Sequence, residues 1–200
     1  MNEKDLKSDD GKEKQIQFMT LYNGCHVRLS RFCRAVCRNN EDAKDLLSET
    51  VLRAYEHFET LRKPESFLSF LFGIASRIHR KKIRRLKFSG IFSQEQAERR
   101  IDHSANPEQK LEVVLLFEAM NKLPAAQQEA LALFEISGLS LKEIQEIQQC
   151  SLSAVKARIA RARQKLAMML HVKDAEMPSN VEKVSTMVTD KLKIMTVNFF

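Results

Sequence analysis

Tryptophan is absent from the 200 residues, tyrosine occurs only twice, and there are just five glycines and four prolines. So few turn formers argue against an all-β fold of many short strands and leave long helices as the default. No run approaches the roughly 18–20 uncharged apolar residues of a spanning helix, and the opening MNEKDLKSDDGKEK carries no apolar signal core, so neither membrane insertion nor export is expected. The four cysteines, Cys25, Cys33, Cys37 and Cys150, form no CxxC pair, and no HxxxH accompanies them. Reduced buried thiols in a cytoplasmic protein are therefore favoured over a zinc site. No nucleophile pair, Gly-rich phosphate loop or metal cluster is found, so no catalytic residue, cofactor or metal is expected.

What the sequence has is positive charge, unevenly placed. The formal net charge is +7, and residues 15–90 alone hold 15 basic and 7 acidic side chains, a net +8. Concentration of the excess in one segment points to a polyanionic partner.

Hydrophobic periodicity divides the chain. Residues 1–14 alternate charges without an apolar period and read as a disordered tail. From Gln15 a helical period runs through Ile16, Met19 and Tyr22, breaks near Gly24, and resumes to Cys37. Glu41-Asp42 open a second run with Ala43, Leu46, Leu47, Val51, Ala54 and Phe58 at three-and-four spacing. After Pro64 a third carries Phe67, Phe70, Leu71, Ile74, Ala75 and Ile78. Residues 91–110 read as a linker, with Asn106-Pro107 as a helix start. Helices then follow to Leu123-Pro124, from Gln127 to Ile136 with Ser137-Gly138 closing it, from Leu141 to Gln148, and from Ser153 to about Leu170. The expected fold is all-α: two small helical lobes, residues 15–90 and 111–170, on a flexible linker.

Three motifs stand out. Ser140 and Glu143 make a capping box ahead of Ile144 and Ile147, a short turn follows, and a second helix begins at Ser153 with Val155, Ile159, Ala162 and Leu166 on one face. This is helix-turn-helix anatomy, in which the second helix enters a major groove, and its charges (Lys156, Arg158, Arg161, Arg163, Lys165) are all positive. The segment Arg77–Lys87 holds seven cations and no carboxylate. With Tyr55, Phe58, Phe67, Phe70 and Phe72 upstream, it suits single-stranded nucleic acid, although some of these rings belong in a core. Asp42, Asp45 and Glu49 form an acidic stripe, better suited to a protein than to nucleic acid.

The order of these features resembles bacterial sigma factors. Phe18, Leu21-Tyr22, the run Glu41–Thr50, Phe67–Ala75 and Arg84-Arg85 resemble region 2. Leu123–Glu129, Gly138–Ser140, Glu143-Ile144 and Val155–Arg163 resemble region 4. Having only these two regions, the chain is similar to the extracytoplasmic-function group over residues 15–170. The resemblance implies that Asp45, Leu46, Ser48 and Glu49 contact core RNA polymerase. It implies that Arg62, Lys63 and Ser66 in the loop after Leu61, with Arg77, Arg80, Lys81, Arg84 and Arg85, meet the −10 element. Ser153, Lys156, Ala157, Arg158 and Arg161 would meet the −35 element. The implied function is transcription initiation on promoter DNA, with an anti-sigma protein as a further partner. A helix-turn-helix regulator acting without polymerase is the alternative, and it leaves the acidic stripe and the Arg77–Lys87 run without a task.

Residues 171–200 lie outside the resemblance. Ser179 and Glu182 form a capping box, and Val181, Val184, Val188, Leu192, Met195 and Phe199 recur at helical spacing, an apolar stripe expected to dock on its own chain.

Overall fold

The computed structural model describes residues 3–88 and 107–171, with side chains for 11–86 and 114–170. The 171–200 stripe, apart from the end of the last helix, and most of the linker lie outside these residues. Among the described residues there are helices and turns and no strand.

The first lobe has four helices: α1 (Glu3–Asn23), α2 (His26–Val36), α3 (Asn40–Glu56) and α4 (Phe67–Phe88). Helix α1 begins well inside the segment expected as a disordered tail. Lys and Glu are good helix formers, so a polar segment without an apolar period can still extend a helix anchored further on. The anchor is Phe18, whose ring lies 5.3–5.6 Å from those of Tyr55, Phe58 and Phe67. Helix α2 buries Leu29, Phe32, Cys33 and Val36, one stripe at helical spacing. Asn39 caps α3 by accepting from the Asp42 amide at 2.7 Å, and Ala43, Leu46, Thr50 and Ala54 face inward. Two short 3-10 turns, Phe58–Thr60 and Pro64–Ser66, carry the chain into α4. Helix α4 packs along α3 and buries Phe67, Leu71, Phe72, Ile74 and Ala75.

The second lobe comprises α5 (Pro107–Asn121), α6 (Ala125–Leu131), α7 (Leu141–Gln148) and α8 (Leu152–His171). Helix α8 is its spine, packed by α5, α6 and α7 through Val155, Ile159, Ala162 and Leu166. Helix α6 widens into a π turn at Ala132–Ile136, and Ser137 donates from both its amide and its hydroxyl to Ala132 O. Gly138 then takes φ +62°, and the Leu139 amide closes the turn on Leu133 O. Glycine is favoured there, because a side chain would be strained at that φ and its Cβ would lie 3.3 Å from Arg28 Nη2.

The lobes are not apart. Helix α2 lies against the π turn and against α5 and α6, and α4 lies against α7, so the two cores join into one cluster.

Candidate nucleic-acid interface

On α3, Asp45, Ser48 and Glu49 are exposed along one face. Glu49 is tied to Arg53 one turn on, at 2.9 Å. Two expected members behave otherwise. Leu46 is 3% exposed and belongs to the core, as its place on the apolar period dictates, so it shapes the face only from beneath. Asp42 leaves the stripe because it sits at the capped helix start, where its carboxylate takes a hydrogen bond from Asn39 and pairs with Lys82. Burial pulls the Lys82 ammonium down, but its hydrogen bond to Asp42 and the Asp42 charge outweigh that and raise it. Leu52, 59% exposed, takes the place next along the face, one turn beyond Ser48 and Glu49. Sequence reading missed it, although an apolar residue off the α3 period was the available signal.

Arg62, Lys63 and Ser66 are exposed on the turn before α4. Along α4, Arg77, Lys81 and Arg84 form one exposed row, with Arg85 exposed beside it and Arg80 half-buried on its flank. The aromatic side chains upstream are mainly structural. Phe67 and Phe72 are buried, Phe72 stacks edge-on against Phe32, and Tyr55 and Phe58 surround Phe18. Phe70 alone of these five reaches the cleft described next.

Ser66, Phe70, Arg77, Arg80, Lys81 and Arg84 form one wall of a cleft of about 1190 Å³ between the lobes. The facing wall carries Glu129, Glu143, Glu146, Gln148 and Arg158. Cations therefore face carboxylates across it. Glu129, 2% exposed, lies with Oε1 3.7 Å from Arg80 Nε and accepts at Oε2 from Gln148 at 2.8 Å. Its burial raises the carboxyl above its ordinary range, against the opposing pull of Arg80 and Gln148. Glu143 shows the opposite balance. Burial raises it, but hydrogen bonds from Ser140 and Ser69 outweigh that and lower it. His79, on the α4 side, is buried, and desolvation with Lys82 and Arg80 nearby brings its imidazole down to about 4 despite Asp42.

The helix-turn-helix is formed as expected. Ser140 and Glu143 make both halves of the capping box, Gln149 turns the chain at φ 49°, and Ser151 caps α8 by accepting from the Ala154 amide. Gln145, at a position where such units favour a small residue, is half-exposed. Ser153, Lys156 and Arg161 are exposed on the outer face of α8, and Ala157 is half-buried beside them. Arg158 turns the other way and donates to Gln148 Oε1 at 2.8 Å and towards Cys150 Sγ at 3.2 Å. Arg163 is held by Glu135 and lies over the Phe134 ring. The structure thus gathers most of the expected −10 set on one wall, but separates Arg158 from the rest of the expected −35 set. Glu129 and Gln148, which sequence reading missed, join the two sets. An acid inside the otherwise uncharged AAQQEALALF was the only hint.

Among the described residues no group of three His, Cys, Asp or Glu side chains is placed to hold a metal, and no helix is long and apolar enough to cross a membrane.

The family model Sigma-70 region 2 matches residues 21–88, and Sigma-70, region 4 matches residues 114–166. The ECF RNA polymerase sigma factor EcfG of Rhodopseudomonas palustris is 29% identical over 148 residues, 74% of this chain and 82% of that protein. Two solved structures share the fold. The sigma factor RpoE in complex with the anti-sigma factor NepR, from Bartonella quintana, gives a TM-score of 0.60 at 22% identity, covering 84% of this chain and 99% of that one. CnrH in complex with the cytosolic domain of CnrY gives 0.63 at 24%, covering 84% and 96%. The two matched regions sit on the two lobes, the second on the helix-turn-helix and the first on the helices carrying the acidic face and the cationic row, and with these likenesses they make the chain a member of the sigma-70 family, in the extracytoplasmic-function group.

Proposed function

We propose that this chain is a transcription initiation factor that joins core RNA polymerase, directs it to promoters and helps open the −10 element. The observation that carries the reading is the presence, in one chain, of three distinct faces. An acidic face with an apolar end, Asp45, Ser48, Glu49 and Leu52, suits a protein partner, since it would repel a nucleic acid. The row Arg77, Lys81, Arg84 with Arg85 suits a phosphate backbone, and the loop at Arg62, Lys63 and Ser66 leads into it. Helix α8 offers Ser153, Lys156, Ala157 and Arg161 for a major groove at the −35 element. Strand opening costs a few kcal/mol per unstacked base, which phosphate contacts along a cationic track help offset. No group in the chain is assigned a bond-making step, and the factor acts without cofactor or metal, in the cytoplasm.

The anti-sigma factor NepR binds one solved relative, the cytosolic domain of CnrY binds the other, and an anti-sigma protein is a natural regulator here. A helix-turn-helix regulator independent of polymerase accounts for α7 and α8 but gives no role to the acidic face of α3. Run-off transcription by core polymerase on a promoter library separates the two readings. Transcripts that depend on both the core enzyme and this chain support the proposal. DNA binding with no gain in transcripts would leave the regulator.

A further inference from the structure

Gln148 closes α7 with both ends of its side-chain amide engaged. It is 6% exposed, and its Nε2 donates to Glu129 Oε2 at 2.8 Å and to Ala126 O at 3.2 Å, both on α6. Two acceptors on that side fix the amide's orientation, because turning it over would set its oxygen against a carboxylate and a carbonyl. The oxygen therefore faces α8, where Oε1 accepts from Arg158 Nη1 at 2.8 Å. The same nitrogen points towards Cys150 Sγ at 3.2 Å, in the turn between the two helices. Glu129, Gln148 and Arg158 thus tie α6, α7 and α8 together in one line inside the second lobe.

The tie falls on the flank of α8 that meets α7. Successive helical residues are about 100° apart, so Arg158 lies about 200° round the helix from Lys156 and about 140° from Ser153. Ser153, Lys156 and Arg161 are exposed, whereas Arg158 is half-buried. Apolar contacts through Val155 and Ile159 settle which face of α8 is covered, but such contacts have no direction and leave its rotation and tilt loosely set. Hydrogen bonds are directional and supply that constraint.

We propose that Gln148, held by Glu129, is a positioning residue for promoter reading: it anchors Arg158 and so sets the angle at which α8 presents Ser153, Lys156, Ala157 and Arg161. The inference rests on the functional reading above for α8 as the helix that meets the −35 element. Base-edge contacts tolerate displacements of only about 0.5 Å and roughly 10–20°, so a small turn of α8 weakens several of them together. Arg158 then acts on sequence preference by holding the helix, not by touching a base.

The test compares Gln148→Met, Arg158→Met, the double variant and Arg158→Lys in the tagged full chain, with core polymerase present. Circular dichroism and thermal melting establish that each is folded. Duplexes from a library randomised over the −35 element are retained on the tag and sequenced, and affinity for a mixed-sequence duplex is measured beside them. Each single Met variant should lower the preference for the selected sequence over the mixed one by about tenfold, across several base pairs at once, with mixed-sequence affinity unchanged. The double variant should lose no more than either single one, because both break the same tie. Arg158→Lys, which keeps a donor for Gln148, should recover part of the loss. Variants that melt earlier or bind every duplex more weakly, with that preference intact, would reduce the tie to a structural one and overturn the proposal. Loss confined to one or two base pairs in Arg158→Met, with Gln148→Met like the wild type, would make Arg158 a base reader and overturn it too. So would losses that multiply to about a hundredfold in the double variant. Arg158→Met, at a half-exposed position, decides by the number of base pairs affected even where Gln148→Met does not fold. Failure of the functional reading looks different: sequence-selected duplexes are retained, but no core-dependent transcripts appear.

Discussion

His79 sits in a setting that charge cannot share. It is 5% exposed, its Nε2 has no hydrogen-bond partner, and Lys82 and Arg80 lie nearby with Asp42 as the only opposing influence. Its folded-state value, about 4, lies below the ordinary 6.5. Protonation therefore favours the unfolded chain. The stability from a neutral His79 is complete above pH 6.5 and is lost as pH falls from there through about 4. At about 1.4 kcal/mol per pH unit, that loss approaches about 3 kcal/mol. Urea denaturation at pH 7, 5 and 4 should show this decline in the wild type and a shallower one in His79→Leu; equal slopes would remove His79 as the cause. The thiols make a second case. Burial raises Cys25 and Cys33, and raises Cys37 to about 12, so these three stay protonated and shielded. Cys150 is the one half-exposed thiol. A maleimide at neutral pH should label Cys150 first and the others only with denaturant, as peptide mass mapping would report. Labelling of Cys33 or Cys37 in the folded chain would contradict their burial.

At the scale of elements, α3 presents two faces with different duties. Its apolar period fills the core, and Asp45, Ser48, Glu49 and Leu52 are left outside. Asp45→Lys with Glu49→Lys should leave the fold intact, because both side chains are exposed and the ion pair broken among the described residues, Glu49–Arg53, is worth about 0.3–0.5 kcal/mol. Affinity for core polymerase should fall by several kcal/mol if this face docks there, measured by pull-down or surface binding with circular dichroism as the folding control. Native-like binding by the folded double variant would remove the assignment. Much of this architecture could be read in the residues. The periods of α3 and α4, the Ser140–Glu143 box and the Ser137-Gly138 stop are local signals, and local physics alone produces them. Leu46 shows the limit of a motif: the family resemblance grouped it with Asp45 and Glu49, whereas its period places it inward. The start of α1 was hidden because helix propensity without amphipathicity leaves no pattern. The π turn was hidden too, since it changes hydrogen-bond register without changing the apolar period.

The whole molecule depends on pairings that periodicity does not encode. An apolar stripe shows which face is covered, but not by which neighbour, and the lobes meet partly through backbone carbonyls of Ser137 and Ile147, which have no residue signature. The charge excess of residues 15–90 was legible as a density, whereas the opposing wall of Glu129, Glu143 and Glu146 appears only when the lobes are brought together. In the proposed function the row on α4 holds the unstacked strand. Duplex binding alone needs only α8, so strand opening is the step that distinguishes an initiation factor. Permanganate reactivity of thymines in the −10 region, with core polymerase and this chain on a duplex promoter, reads that step directly. The wild type should make those thymines reactive. The variant with Arg80, Lys81, Arg84 and Arg85 all changed to Ala should not, yet should recover transcription in part when the −10 region is supplied as a premelted bubble. Undiminished reactivity of the variant on duplex DNA would contradict a strand-opening role for the cationic row.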